Sequence, residues 1–270
     1  MSRRLCLLLS FACLLSACGG GGSSSDAPPA VTQPPVLVTP NYVYAGTLER
    51  DKSITSRITG ITYPYHVYLP ENYAASGKAY PVMYATDGQW SFNAFSQLLD
   101  KRRKAMILVN IEQGPGDRRA IDYTVNGAPA YARFLKEELA PLIEAGYRTT
   151  GVRSFSGTSY GGLLGSILLS TEAVGTPFFR NYLLFDGSFW ALTAKNIQDE
   201  QARFAANPRL PVHLILTSAN APGNVNDVIA YEARYKGRAY VDLLIQRKDF
   251  NIAHNDVGDP SFDWAIDQID

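Results

Sequence analysis

The pentapeptide Gly157-Thr158-Ser159-Tyr160-Gly161 constrains this chain more than any other stretch. An apolar, strand-like run at residues 152–156 precedes it, and a helix-like run at residues 161–170 follows. A strand that passes into a helix this quickly must turn sharply. The residues two before and two after the apex then come too close to neighbouring backbone to carry side chains. Gly157 and Gly161 meet that need, and Gly162 extends the small surface. Such a turn lifts the serine hydroxyl above the end of a sheet and aims the first N–H groups of the helix at the same point. The spacing predicts a layered α/β protein with Ser159 as a nucleophile.

The rest of the chain alternates in the way this turn requires. Strand-like runs fall at residues 42–50, 53–58, 62–69, 81–86, 105–111, 182–185, 212–218 and 241–246. Helical spacing falls at 91–104, 131–145, 196–206, 225–236 and 262–269, the second of these despite Pro141. Strands come first and βα units afterwards, which predicts a mostly parallel central sheet with helices on both faces. That is the α/β-hydrolase fold with no large cap domain. Residues 41–270 have the length of one such domain, and no internal repeat is visible.

The first 40 residues read differently. Arg3 and Arg4 precede an apolar stretch at 5–15, too short to span a bilayer. It ends in Leu15-Ser16-Ala17-Cys18, which resembles the cleavage box of bacterial lipoproteins. That resemblance implies a signal peptide at 1–17 and an acylated Cys18 as the first mature residue, anchored to a membrane by more than one acyl chain. Residues 18–40 are rich in Gly, Ser and Pro and read as a tether. Gly19 after the cysteine, rather than Asp, implies the outer membrane of a Gram-negative cell envelope. All three cysteines, Cys6, Cys13 and Cys18, lie at or before the cleavage point, which leaves the mature body no thiol for a disulfide, a nucleophile or a metal site. Charge is balanced at 25 basic and 25 acidic residues, and losing Arg3 and Arg4 leaves 23 against 25, about −2, with nothing to suggest nucleic-acid binding.

A serine hydroxyl needs a base to take its proton. The chain has three histidines. His66 and His213 lie inside strand-like runs and read as structural. His254 follows the last predicted strand and precedes the last helix, where the order serine, acid, histidine puts the base. The acid is expected beyond residues 212–218. Asn220 comes first there and Asp227 is the first carboxylate, while Asp249 and Asp256 lie near His254. The expectation is Asp227 as the acid, with a serine–histidine dyad oriented by Asn220 or a carbonyl as the alternative. The oxyanion donors are expected to be the Tyr160 N–H and, from the turn Asp87-Gly88-Gln89, the Gln89 N–H.

Residues 62–270 resemble the esterase family that includes enterochelin esterases, esterase D and feruloyl or acetyl-xylan esterases. Tyr68-Leu69-Pro70 with Tyr73 is similar to its "YLP…Y", and Pro81-Val82-Met83-Tyr84 before Asp87-Gly88 to its "PVLY…DG". Arg119-Ala120-Ile121-Asp122-Tyr123-Thr124 matches R-x-x-D-Y-T, and Ser159-Tyr160-Gly161-Gly162-Leu163 matches S-Y-G-G-L. Asp186-Gly187-Ser188-Phe189-Trp190 resembles "SPSLWW", with Asp-Gly in place of Ser-Pro. Thr158 stands where the family often has His, and the early acid is missing, as in some siderophore-esterase relatives. The resemblance implies a serine carboxylic-ester hydrolase with no metal or cofactor, and it puts Arg119 and Trp190 near the substrate. Siderophore trilactones, carbohydrate esters and small acyl esters are the candidate substrates. An acyltransferase and a non-catalytic surface binding protein are the competing functions on the same scaffold.

Overall fold

The computed structural model describes residues 38–269. The predicted signal peptide, Cys18 and most of the tether lie outside them. The eight strands are β1 (Thr47–Thr55), β2 (Thr62–Leu69), β3 (Tyr80–Ala85), β4 (Ile107–Ile111), β5 (Thr149–Thr158), β6 (Asn181–Phe185), β7 (His213–Ala219) and β8 (Leu244–Phe250). They form one sheet in the order β1-β2-β4-β3-β5-β6-β7-β8. The first two pairings, β1 with β2 and β2 with β4, are antiparallel, and all the others are parallel. The helices are α1 (Tyr73–Ser76), α2 (Gly88–Lys101), α3 (Arg119–Asp122), α4 (Ala128–Arg133), α5 (Ala140–Gly146), α6 (Tyr160–Ser170), α7 (Ala194–Ala206), α8 (Val225–Gly237) and α9 (Gly258–Ala265). This is the expected α/β-hydrolase sheet.

Successive strand residues point to opposite faces, and the core divides accordingly. Val82 and Tyr84, Ile107 and Val109, and Tyr182 and Leu184 bury one face under α4, α5, α6 and α8. Met83, Ala85, Leu108, Leu183, Phe185 and Ile215 bury the other under α2 and α9, whose Phe95 and Phe262 rings stack 3.8 Å apart. Both faces of the central strands are dry, which is why their sequences read as unbroken apolar runs.

Of the boundaries that differ from the sequence expectation, three have a clear physical reason. The runs at 42–50 and 53–58 are one strand, β1, with a register shift between Glu49 and Lys52, and the Asp51 N–H freed there donates to His66 Nδ1 at 3.1 Å. Residues 42–46 are not strand. The helix expected at 131–145 is interrupted. Pro141 has no N–H for the carbonyl four residues back, and the chain widens into a π turn at Phe134–Leu139 before α5 begins. The last strand runs Leu244–Phe250 rather than 241–246. It is an edge strand, where Arg247, Lys248 and Asp249 are tolerated.

Candidate active site

The pentapeptide spans the end of β5 and the start of α6. Ser159 is the N-cap residue, held at φ 59° and ψ −115°, a left-handed φ that a residue with a side chain rarely adopts. The glycines explain themselves by contact. A Cβ on Gly157 would lie 2.4 Å from the Gly161 carbonyl, and one on Gly161 would lie 2.3 Å from Thr86 Oγ1. The second clash shows how closely the turn after β3 packs on the turn after β5. The Ser159 N–H donates to the Phe185 carbonyl at 2.9 Å, tying the apex to the end of β6.

His254 opens a short 3₁₀ turn, His254–Asp256, after β8, and its backbone N–H donates to the Pro222 carbonyl at 2.8 Å. Its Nε2 lies 3.0 Å from Ser159 Oγ, and its Nδ1 lies 2.5 Å from Asp186 Oδ2. A carboxylate only accepts, so Nδ1 carries the proton and Nε2 is left to accept from the serine hydroxyl. Asp186 is fully buried. Its Oδ1 also accepts from the Ala219 N–H at 2.9 Å and the Asn224 N–H at 3.0 Å. A second hydroxyl, Ser188 Oγ, lies 3.3 Å from Ser159 Oγ.

The carboxylate behind His254 is therefore Asp186 and not Asp227, which corrects the sequence expectation. Asp227 lies in the first turn of α8. The end of β7 and the loop after it, where the acid is expected, supply N–H groups to a carboxylate carried just beyond β6. The signal was in the sequence: an Asp directly after an apolar strand, where the resembled family has Ser. Asn220 is exposed, and its N–H donates to the Phe250 carbonyl. Asp249 accepts from Ser218 Oγ at 2.6 Å and from Arg247 at 2.8 Å. His66 and His213 are structural, bound to Glu112 at 2.8 Å and Gln246 at 2.7 Å.

A cleft of about 680 Å³ opens over Ser159 and His254, with Asp87, Trp90, Arg119 and Asp259 in its walls. Arg119 Nε donates to Asp87 Oδ1 at 2.7 Å. Burial pushes the Asp87 carboxyl up, against the pull of Arg119, and burial likewise raises Asp259. The Gln89 side chain is turned to the Gln113 N–H at 3.1 Å, while its own N–H is among the first-turn amides of α2 that the helix leaves unpaired. Trp190 is outside the lining of this cleft. It is 58% exposed, beside Tyr160 at a ring separation of 6.2 Å, while Trp90 is 66% exposed.

A serine on a strained turn, an imidazole on its Oγ and a buried carboxylate behind the imidazole, set on this sheet, define a serine hydrolase of the α/β-hydrolase class. Residues 56–220, more than half of the chain, match the family described as "Putative esterase", and the chain belongs to that family. It is a serine esterase. Among solved structures, an IroE-like serine hydrolase from Shewanella oneidensis is 26% identical, with a TM-score of 0.72 over 83% of this chain and 79% of the other. The BES protein from Bacillus cereus shares the fold at 20% identity and a TM-score of 0.70, covering 85% of this chain and 98% of its own. The siderophore hydrolase EstA from Aspergillus nidulans does so at 19% identity and 0.67, covering 83% and 94%. No curated protein matches the sequence.

Proposed function

We propose that the esterase works through an acyl-enzyme on Ser159, with His254 as base and Asp186 as its orienting acid. The observation that carries this reading is the unbroken chain of hydrogen bonds Ser159–His254–Asp186 at the wall of an open cleft. His254 Nε2 takes the serine proton as Oγ attacks the ester carbonyl, and the oxyanion is received by the Tyr160 and Gln89 N–H groups. When the intermediate collapses, the C–O bond breaks and the proton passes to the leaving alcohol. Water repeats the sequence with the same base and releases the acid. The His254 side chain is 32% exposed, so water reaches the acyl-enzyme, which favours hydrolysis over transfer to another acceptor.

The substrate in this reading is a bulky ester with a planar group able to cover Trp90 in the cleft wall. Siderophore lactones come first, because the structural likenesses include a siderophore hydrolase. Carbohydrate esters are the comparison. The enzyme works at the bacterial cell envelope, tethered to a membrane through Cys18.

The test is a panel of p-nitrophenyl esters, ferric and apo trilactone siderophores and acetylated or feruloylated sugars, run on wild type and Ser159→Ala. The variant should lose about 10⁴-fold or more of kcat on every accepted ester and should not be labelled by a fluorophosphonate. Normal labelling of Ser159→Ala would assign the nucleophile to another residue.

A further inference from the structure

The last ladder hydrogen bond between β3 and β5 runs from the Thr86 N–H to the Ser156 carbonyl at 3.1 Å. Beyond it β3 turns into α2, while β5 stays paired with β6 through Thr158 before turning into α6, and the first turns of these two helices carry the proposed oxyanion amides. Each strand turns through a left-handed residue with a side chain, Asp87 at φ 63° and Ser159 at φ 59°. Backbone of this kind persists only where its surroundings hold it.

Arg119 spans the gap. Its Nε donates to Asp87 Oδ1 at 2.7 Å, and its Nη2 donates both to Asp87 Oδ2 at 3.2 Å and to the Thr158 carbonyl at 3.1 Å. Asp87 is the N-cap residue of α2, just after β3, and Thr158 is the last residue of β5, so the guanidinium adds a rung where the pairing of β3 with β5 has ended. The rung is itself fixed. The rings of Tyr160, Trp90 and Tyr123 lie 5.3, 5.8 and 5.9 Å from the guanidinium carbon. The helix that carries it, α3, is pinned by buried Asp122, which accepts from Arg118 at 2.6 Å and from Tyr63 Oη at 2.9 Å. Asp87 also balances the charge, so Arg119 does not offer the cleft a free cation.

We propose that Arg119 is a positioning residue: its guanidinium clamps the Asp87 turn to the Thr158 carbonyl and so fixes the spacing between the Gln89 and Tyr160 amides. This rests on the oxyanion-hole reading above. An oxyanion hole is effective only when both donors are held in place before charge develops. Only a planar fork does this here. A lysine in the same place is a point charge that cannot reproduce the bidentate grip on Asp87 and hold Thr158 as well.

The test compares wild type with Arg119→Lys, Asp87→Asn and the double variant. The readouts are kcat and KM on neutral p-nitrophenyl esters of several acyl lengths, and the Ki of a trifluoromethyl ketone, which adds to the serine and puts an oxyanion in the hole. The expected result is a kcat loss of about 10- to 100-fold, somewhat less than removal of a whole oxyanion donor costs. The loss should be the same factor for every ester, with little change in KM. The ketone Ki should weaken by a matching factor. The double variant should be no worse than Arg119→Lys alone, because both changes break one clamp. Asp87→Asn cuts the charged grip while leaving Arg119 in place, so it carries the same expectation if Arg119→Lys does not fold.

A rise in KM confined to anionic or aromatic esters, with kcat intact, would make Arg119 a substrate ligand and overturn the clamp. A fall in Tm with unchanged kcat and ketone Ki would overturn it too. If the ketone binds wild type tightly and all variants alike, the clamp fails while the oxyanion-hole reading survives. If it does not bind wild type, that reading fails first.

Discussion

Asp186 shows how much one residue can decide. A buried carboxylate is tolerated when hydrogen bonds satisfy it, and Asp186 accepts from Ala219, Asn224 and His254. The bond to Nδ1 fixes the imidazole tautomer and leaves Nε2 open toward Ser159. Asp186→Asn keeps the shape, but its amide can present N–H groups to Nδ1 and force the proton onto Nε2. An imidazole in that tautomer cannot take the serine proton. We expect kcat to fall by about 10³- to 10⁴-fold, with KM little changed, as for the corresponding change in other triads. Asp227→Asn should cost less than about tenfold, or ~1.4 kcal/mol of barrier. Steady-state kinetics of both variants on p-nitrophenyl butyrate, with folding checked by circular dichroism, separates a triad built on Asp186 from a dyad. Equal, small losses would mean that no carboxylate matters.

At the scale of elements, what was legible in the sequence is what local geometry demands. The turn around Ser159 needs glycine at fixed offsets, so it could be read without any tertiary information. His254 could be read because the other two histidines sit inside strands. The sequence offered Asp186 beside Asp227 but could not choose between them, because the choice is tertiary: β6 and β7 are neighbours in the sheet, and their loops end at the same point beside the imidazole. Counting back from the last strand pointed to the β7 loop, whereas the β6 loop carries the carboxylate. The edges of the sheet blurred for a related reason, since β1 and β8 have wet faces and charged residues that hide their period. The glycine contacts give a test at this scale. In Gly161→Ala the new Cβ meets Thr86 Oγ1 at 2.3 Å and Asp87 Oδ2 at 3.4 Å, so the β3 turn must move away. We expect a stability loss of about 1–3 kcal/mol and a kcat loss of tenfold or more, by thermal unfolding and kinetics. Gly146→Ala, with nothing within 4 Å of its Cβ, is the control and should be neutral or slightly stabilising.

For the whole molecule the question is how the first described residues are held to the domain. If Cys18 carries the anchor, Cys18→Ser should abolish lipid labelling and membrane fractionation in the native host, and a wild type found wholly soluble would refute the anchor. The described chain then begins with residues 38–46, which are fastened to α2. Thr39 exchanges hydrogen bonds with Gln97, its N–H donating to Oε1 at 2.7 Å and its carbonyl accepting from Nε2 at 3.2 Å. Asp100 is the main fastening. It accepts from Tyr42 Oη at 2.7 Å, the Ala45 N–H at 3.1 Å, the Gly46 N–H at 2.8 Å and Tyr68 Oη at 3.1 Å. Burial pushes its carboxyl up, but the hydrogen bonds from Tyr42, Gly46, Ala45 and Tyr68 outweigh burial and hold it below the ordinary carboxylate range. A carboxyl lowered on folding stabilises above its unfolded pKa, and that stability is lost as pH falls through the folded value. The fastening should thus be fully present at neutral pH and weaken only in strong acid, below about pH 4. Asp100→Ala leaves two N–H groups and two buried or half-buried tyrosine hydroxyls without their acceptor. We expect a loss of about 2–3 kcal/mol at pH 7 that shrinks as the pH is lowered toward 3, because the wild type loses the same bonds there. Denaturant midpoints of the two proteins between pH 3 and 7 measure this, and cleavage within residues 39–46 by a nonspecific protease should be faster in the variant at pH 7. A difference in stability that stays constant across that range would mean that packing, not the ionised carboxylate, holds this segment down.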